Sequence, residues 1–232
     1  MSNYIDLLAH LPASVSASYM AIQAELLVAF WETLYMTVVS TVLSLVIGFG
    51  LAILMIMTGP GGLHPKPRLY SVLDVSVNLL RSLPFIILII FIIPLTRFVM
   101  GTSIGTTATL FPLTVAAAPF AARLIEGCFL EVDKGVIEAA RSFGANRWQI
   151  ILKVMLPEAL PSIVLNVAVL AIALLGYSAM AGAVGGGGLG DLAYRVGYIR
   201  FQTDVTIWCI VALIIQVQCI QSLGNWTYRR LR

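Results

Sequence analysis

The sequence predicts an all-α integral membrane protein: five spanning helices, with a further helix carried by one cytoplasmic loop. Composition is the first reason. Of 232 residues, 59% are hydrophobic and 11% charged, with mean hydropathy +0.96, where soluble domains average about 25% charged. The second reason is that the charges are missing from stretches long enough to cross a bilayer, which takes about 20 apolar residues. An ordinary soluble enzyme is excluded, because too few ionisable groups remain to solvate a globular surface.

Thr33–Met57, Phe98–Ala122, Ala159–Gly190 and Val205–Tyr228 each lack any charge and are read as spans. Ser82–Thr96, between Arg81 and Arg97, covers only about 22 Å of a roughly 30 Å core at 1.5 Å per residue. The two arginines can snorkel to opposite interfaces and lengthen it. The spans are placed at about 32–57, 78–98, 105–125, 160–183 and 204–224, with a long inner loop at 131–158. A polar-interrupted lead-in occupies Tyr70–Leu80, and a short interfacial helix can precede Trp31. Residues 1–30 are read as a separate extracytoplasmic or interfacial segment and 31–232 as the membrane domain. That first segment holds no Lys or Arg, so the basic start of a cleavable signal peptide is missing, and the first span is expected to act as its own insertion signal.

Five spans put the termini on opposite sides. With the N-terminus outside, the inner segments hold Lys66, Arg68, Arg81, Arg123, Lys134, Arg141, Arg147, Lys153, Arg229, Arg230 and Arg232. The outer ones hold Arg97, Arg195 and Arg200, so the positive-inside rule selects N-out, C-in. Cys128, Cys209 and Cys219 have no pairing or metal-ligand spacing and are expected to be packed thiols.

No G-x-x-x-x-G-K-[ST] occurs; Gly185–Gly190 is the one glycine-rich stretch, and no Lys follows it. No metal, cofactor or nucleic-acid site is indicated. The span centres carry no Asp, Glu, His or Lys, which a lone ion-coupled carrier would place there. Asp74 and Arg81, seven residues apart at the inner edge, read as an anchor pair. His10 and His64 are isolated.

The inner loop is patterned. Val136, Ala140 and Phe143 recur at helical spacing in 136–143, Gly144 stands where a C′ glycine would, and Asn146 with Gln149 has capping-box spacing before a helix ending at Leu156, ahead of Pro157. Two readings stand: a helix resting on headgroups, for which Arg147, Trp148 and Lys153 suit, or a docking helix kept bare by Ala139, Ala140 and Gly144.

Glu138-Ala139-Ala140, three residues, Gly144, nine residues, then Val154-Met155-Leu156-Pro157 resembles the E-A-A-x3-G-x9-I-x-L-P loop of bacterial ABC importer permeases, with Val154 for Ile. Trp31-Glu32-Thr33-Leu34, Arg81-Ser82-Leu83-Pro84-Phe85, Ala118-Pro119-Phe120 and Tyr177-Ser178-Ala179-Met180-Ala181-Gly182 look like the methionine-import type, as does the compact five-span count. The resemblance implies the type I importer permease fold and a non-catalytic subunit in the bacterial inner membrane that moves methionine, D- or L-, by alternating access. It implies a homodimer, two copies of a separate ATPase, and an extracytoplasmic binding lipoprotein. The coupling residues would be Glu138, Ala139, Ala140, Arg141, Gly144, Leu156 and Pro157.

In the fourth span, small residues suit close packing about a two-fold axis. Asn166, Tyr177 and Ser178 are the hydrogen-bonding side chains well inside it, and Met180 reads equally as an apolar gate or as a gap-filler. Asp191, Arg195 and Tyr198 would face the binding protein, though a solvated loop would look similar. The alternatives are a permease for another amino acid or small organic solute, and, in a different class, a stand-alone channel or ion-coupled carrier.

Overall fold

The computed structural model describes the backbone of residues 13–231 and the side chains of residues 23–231, so Asp6 and His10 lie outside the described residues. Every regular element among the described residues is helical. Helix α1 (Ala13–Thr58) is unbroken over 46 residues, about 69 Å at 1.5 Å per residue. It has no proline and no glycine before Gly48, so nothing interrupts it at Trp31. The short interfacial helix expected there is instead continuous with the first span.

The second span departs from its expected form. Residues 78–98 do not make one helix: α2 (Pro67–Ser82) meets α3 (Phe85–Phe91) at 101°, and α4 (Ile93–Met100) follows. Proline disfavours helical geometry in the residue before it, and Leu83, ahead of Pro84, is extended at φ −76°, ψ 128°. Ile92, with ψ 7°, makes the second break two residues before Pro94. The lead-in is thus a helix in its own right, with Leu69, Val72, Val75 and Leu79 exposed along it.

Helix α5 (Thr106–Leu130) is the central post, and Ala117, Ala121 and Ala122 on it are almost completely buried. After the inner helices α6 (Lys134–Ser142) and α7 (Arg147–Ile150), a π turn at Ile151–Met155 leads directly into α8 (Leu156–Gly182). The helix expected to stop before Pro157 therefore continues, and one apolar rod runs from Arg147 to Gly182. The wider π turn explains this: the Leu156 N–H bonds back to Ile151 O, which relaxes the backbone register where a proline ring would crowd the carbonyl four residues earlier. Helix α9 (Gly188–Leu192), a π turn at Ala193–Tyr198 and α10 (Thr203–Leu231) complete the chain.

Three apolar clusters stack along the bundle. Ile56, Phe129, Ile150 and Met155 fill the end next to the 131–158 loop. Met36, Phe85, Leu113 and Leu174 fill the middle, and Ala29, Leu189, Val196 and Cys209 the end carrying the glycine loop. Cys128 and Cys209 are packed as expected, but Cys219 is exposed, because the peripheral α10 has only one face against the bundle.

Candidate functional site

The loop at 131–158 folds as a capped helix–turn–helix. Asp133 opens α6 by accepting the Gly135 N–H at 2.6 Å. At the far end Gly144 has φ +78°, and two bonds close the helix: Gly144 N–H to Arg141 O at 2.9 Å and Ala145 N–H to Ala140 O at 3.1 Å. That pair is the Schellman arrangement, which needs a left-handed residue at this position. Asn146 and Gln149 then form a reciprocal capping box, with bonds of 2.9 and 2.8 Å.

The exposed face of α6 differs from the periodicity first read. Ile137 and Ala140 pack on the apolar cluster beneath, while Val136 and Phe143 point away from it; Phe143 is 91% exposed. Glu138, Ala139, Arg141 and Gly144 are open, and a Cβ built on Gly144 meets nothing within 4 Å. Leu156 and Pro157 lie at the start of α8 behind this surface. Phe143 was read from sequence only as part of the helical periodicity and not as a contact residue, although a large aromatic directly before a C′ glycine is a visible signal.

Beside the loop sits an ionic cluster. Arg123 donates to Asp74 Oδ1 at 2.5 Å and to Glu126 Oε2 at 2.7 Å, and the Tyr70 hydroxyl donates to Glu126 Oε1 at 3.3 Å. Asp74 and Arg81, expected as anchors at the inner edge, both lie on α2 but engage different partners. Seven residues along a helix is about 10 Å of rise, too far for contact, and Arg81 instead lies over the Phe120 ring at 5.6 Å. Glu126, 2% exposed, was passed over because the span was ended at 125.

His64 in the α1–α2 turn has a pKa below the ordinary 6.5, held down first by the nearby Arg147 guanidinium, then by burial and by Lys66.

The opposite end of the bundle is organised around the glycine loop. A Cβ on Gly190 would lie 2.2 Å from Ala179 O, and one on Gly182 2.2 Å from Asp191 N. Only glycines let α9 approach α8 this closely. The Glu32 carboxylate accepts the Gly188 N–H and the Thr33 hydroxyl the Leu189 N–H, both at 2.8 Å, so α1 caps α9.

Of the expected docking residues, Asp191 and Arg195 are tied down within the chain: Arg195 donates to Asp191 at 3.3 Å and to Glu25 at 2.8 Å. Tyr198 is exposed and stacks on Tyr194, beside an exposed Phe201.

The expected pathway residues divide. Met180 is half exposed, and Tyr177 stacks on Phe85 at 4.8 Å. Ser178 is buried with its hydroxyl given to Leu175 O, and Asn166 donates to Cys128 Sγ at 3.0 Å, so both are engaged within this chain.

A helical bundle of this topology, with a capped helix–turn–helix offered at one end, is the architecture of a membrane transport component. The chain belongs to the family of binding-protein-dependent transport system inner membrane components, whose pattern matches residues 48–232. It is 46% identical over 216 residues to the probable D-methionine transport system permease protein MetI of Vibrio cholerae, covering 93% of this chain and 96% of that one. It is 47% identical over 201 residues to the methionine import system permease protein MetP of Bacillus subtilis, covering 87% and 90%. Its fold superposes on a chain of the MetNI methionine ABC transporter, solved in an inward-facing conformation, with TM-score 0.90 and 45% identity over 91% of this chain and 98% of that one.

Proposed function

We propose that this chain is the permease subunit of an ATP-driven methionine importer. It works as a homodimer with two ATPase subunits, and an extracytoplasmic lipoprotein delivers the substrate. The observation that carries the reading is the α6–α7 unit: an open Glu138-Ala139 surface ending in an unobstructed Gly144 and an exposed Phe143, at the foot of the Arg147–Gly182 rod. A soluble partner's cleft would take this bare surface, with Glu138 and Arg141 as its polar contacts and Leu156 and Pro157 at the joint.

Met180 and Tyr177 are the pathway residues, where two copies would meet. Tyr198 and the neighbouring Phe201 offer the delivery protein an exposed face. Glu25, Asp191 and Arg195 hold that face to α1. The N-terminus is outside and the C-terminus cytoplasmic, which places Lys134, Arg141, Arg147 and Lys153 of the 131–158 loop on the inner side.

The likeness in sequence to proteins named as methionine permeases supports the substrate. Reconstitution with the ATPase and the lipoprotein should give ATP-dependent accumulation of labelled methionine. Uptake that proceeds without ATP would return the reading to a stand-alone channel or carrier.

A further inference from the structure

We infer that the cavity between α3, α4, the start of α5 and the glycine loop is a subsite for the transported amino acid, binding its carboxylate at Arg97 and its apolar side chain among isoleucines. The inference rests on the importer reading above and names a site that reading does not require.

The cavity holds about 210 Å³, close to seven waters at ~30 Å³ each. That is room for one small amino acid and none for a sugar chain. Ile89, Ile93, Ile104, Pro112 and Val184 make the walls apolar. Arg97 is the only charged side chain in the lining; its Nε–H is fixed on Ser103 Oγ at 3.0 Å, and no carboxylate pairs with it among the described residues. Its terminal nitrogens therefore keep a planar donor pair for a carboxylate.

The Thr96 and Thr109 hydroxyls donate to backbone carbonyls at 3.0 and 2.9 Å, which leaves their oxygen lone pairs to accept from an ammonium. With a single cation and no anion in the walls, the site takes a zwitterion with an uncharged side chain and leaves an acidic or basic side chain unpaired. The Gly105 N–H bonds to Gly185 O at 2.9 Å, so the base of the cavity is also the strap joining α5 to the glycine loop. A solute seated there touches the segment that leads to Met180.

The test is thiol protection on the assembled permease–ATPase complex in nanodiscs, with Cys219→Ser as background. Ile93→Cys, and independently Val184→Cys at the rim, are labelled with a membrane-impermeant maleimide. Millimolar methionine should slow labelling at least threefold at both positions. Methionine methyl ester should not, because it lacks the carboxylate, and glutamate should not, because of its second charge. Arg97→Gln should abolish protection, Arg97→Lys restore part of it, and Arg200→Gln, which removes an arginine outside the cavity, change nothing.

Labelling that methionine leaves unchanged at both positions, or protection that survives Arg97→Gln, overturns the subsite. Wild-type uptake of labelled methionine is measured in parallel. Failed uptake with protection intact overturns the substrate reading and leaves the site standing, while normal uptake without protection overturns the site alone.

Discussion

Replacing Gly144 in turn by asparagine, alanine and tryptophan separates backbone strain from partner contact. The residue sits at φ +78°, and a Cβ there meets nothing within 4 Å, so within this chain alanine costs only its conformation. For an L-residue that cost is about 1–2 kcal/mol. Asparagine visits the left-handed region readily and should cost a few tenths. If the ATPase binds only the capped form of α6, alanine should weaken its affinity by about 5- to 30-fold at 1.4 kcal/mol per tenfold, and asparagine by no more than about twofold.

Tryptophan carries the strain of alanine and adds bulk to space that is empty in the isolated chain. Any loss beyond alanine therefore reports the partner's surface. The assay is ATPase binding to permease in nanodiscs by interferometry, together with ATP hydrolysis stimulated by the delivery protein. Wild-type affinity in the tryptophan variant would remove the docking assignment from this turn, and an asparagine variant as weak as alanine would show that backbone strain is not the cause.

Arg123→Ala leaves Glu126, 2% exposed, without its cation; breaking such a pair costs about 3–5 kcal/mol when fully buried, and with Arg123 itself a quarter exposed the lower end is expected. Arg123→Ala with Glu126→Gln should recover most of that loss in thermal inactivation of the purified complex. Gly190→Leu drives a side chain into the Ala179 carbonyl, 2.2 Å from its Cβ, and should separate α9 from α8, seen as loss of delivery-protein binding with ATPase binding retained. Met180→Ala should raise ATP hydrolysis in the absence of the delivery protein and lower uptake per ATP; unchanged values for both would leave Met180 a packing residue. The depressed pKa of His64 means that the unfolded chain holds more protons just below pH 6.5, so stability rises with pH through that window. Arg147→Ala should move the His64 titration upward, as read by NMR of labelled histidine.

How much could be read in advance depended on whether the signal was local. The capping box at Asn146–Gln149 and the C′ glycine at 144 are written in neighbouring residues, and the structure has them at those places. Leu83-Pro84 was equally local, but its breaking power was outweighed by the apolar run after it, and so the 101° bend was missed. Arg123 with Asp74, Glu32 with Gly188 and Arg195 with Glu25 join residues 49, 156 and 170 positions apart. Nothing in the intervening sequence specifies such pairs; they follow from which helices lie side by side. For the same reason Asn166 and Ser178 read as polar groups inside a span, while their partners, Cys128 and Leu175 O, became visible only in three dimensions.

These long-range links also decide how a movement of α6 can reach Met180. The rod from Arg147 to Gly182 is 36 residues, about 54 Å if straight, and its π turn and Pro157 lie near its base, next to the loop. Above Pro161 the helix contains no further break, so a push at its foot is delivered as rotation of a stiff element and is not absorbed by a hinge at mid-membrane. At the far end α9 is pressed onto α8 through Gly190 on Ala179, and it is capped from α1 by Glu32 and Thr33. The glycine loop must therefore follow α8 or break those two caps. Net hydrogen bonds to charged groups contribute about 1.5–3 kcal/mol, so the Glu32 cap is strong enough to bias the choice and weak enough to be overcome by ATP. Glu32→Gln, which keeps an acceptor oxygen but removes the charge, should loosen the coupling between hydrolysis and uptake while leaving ATPase binding intact. A variant with wild-type uptake per ATP would show that α9 moves with α8 through packing alone.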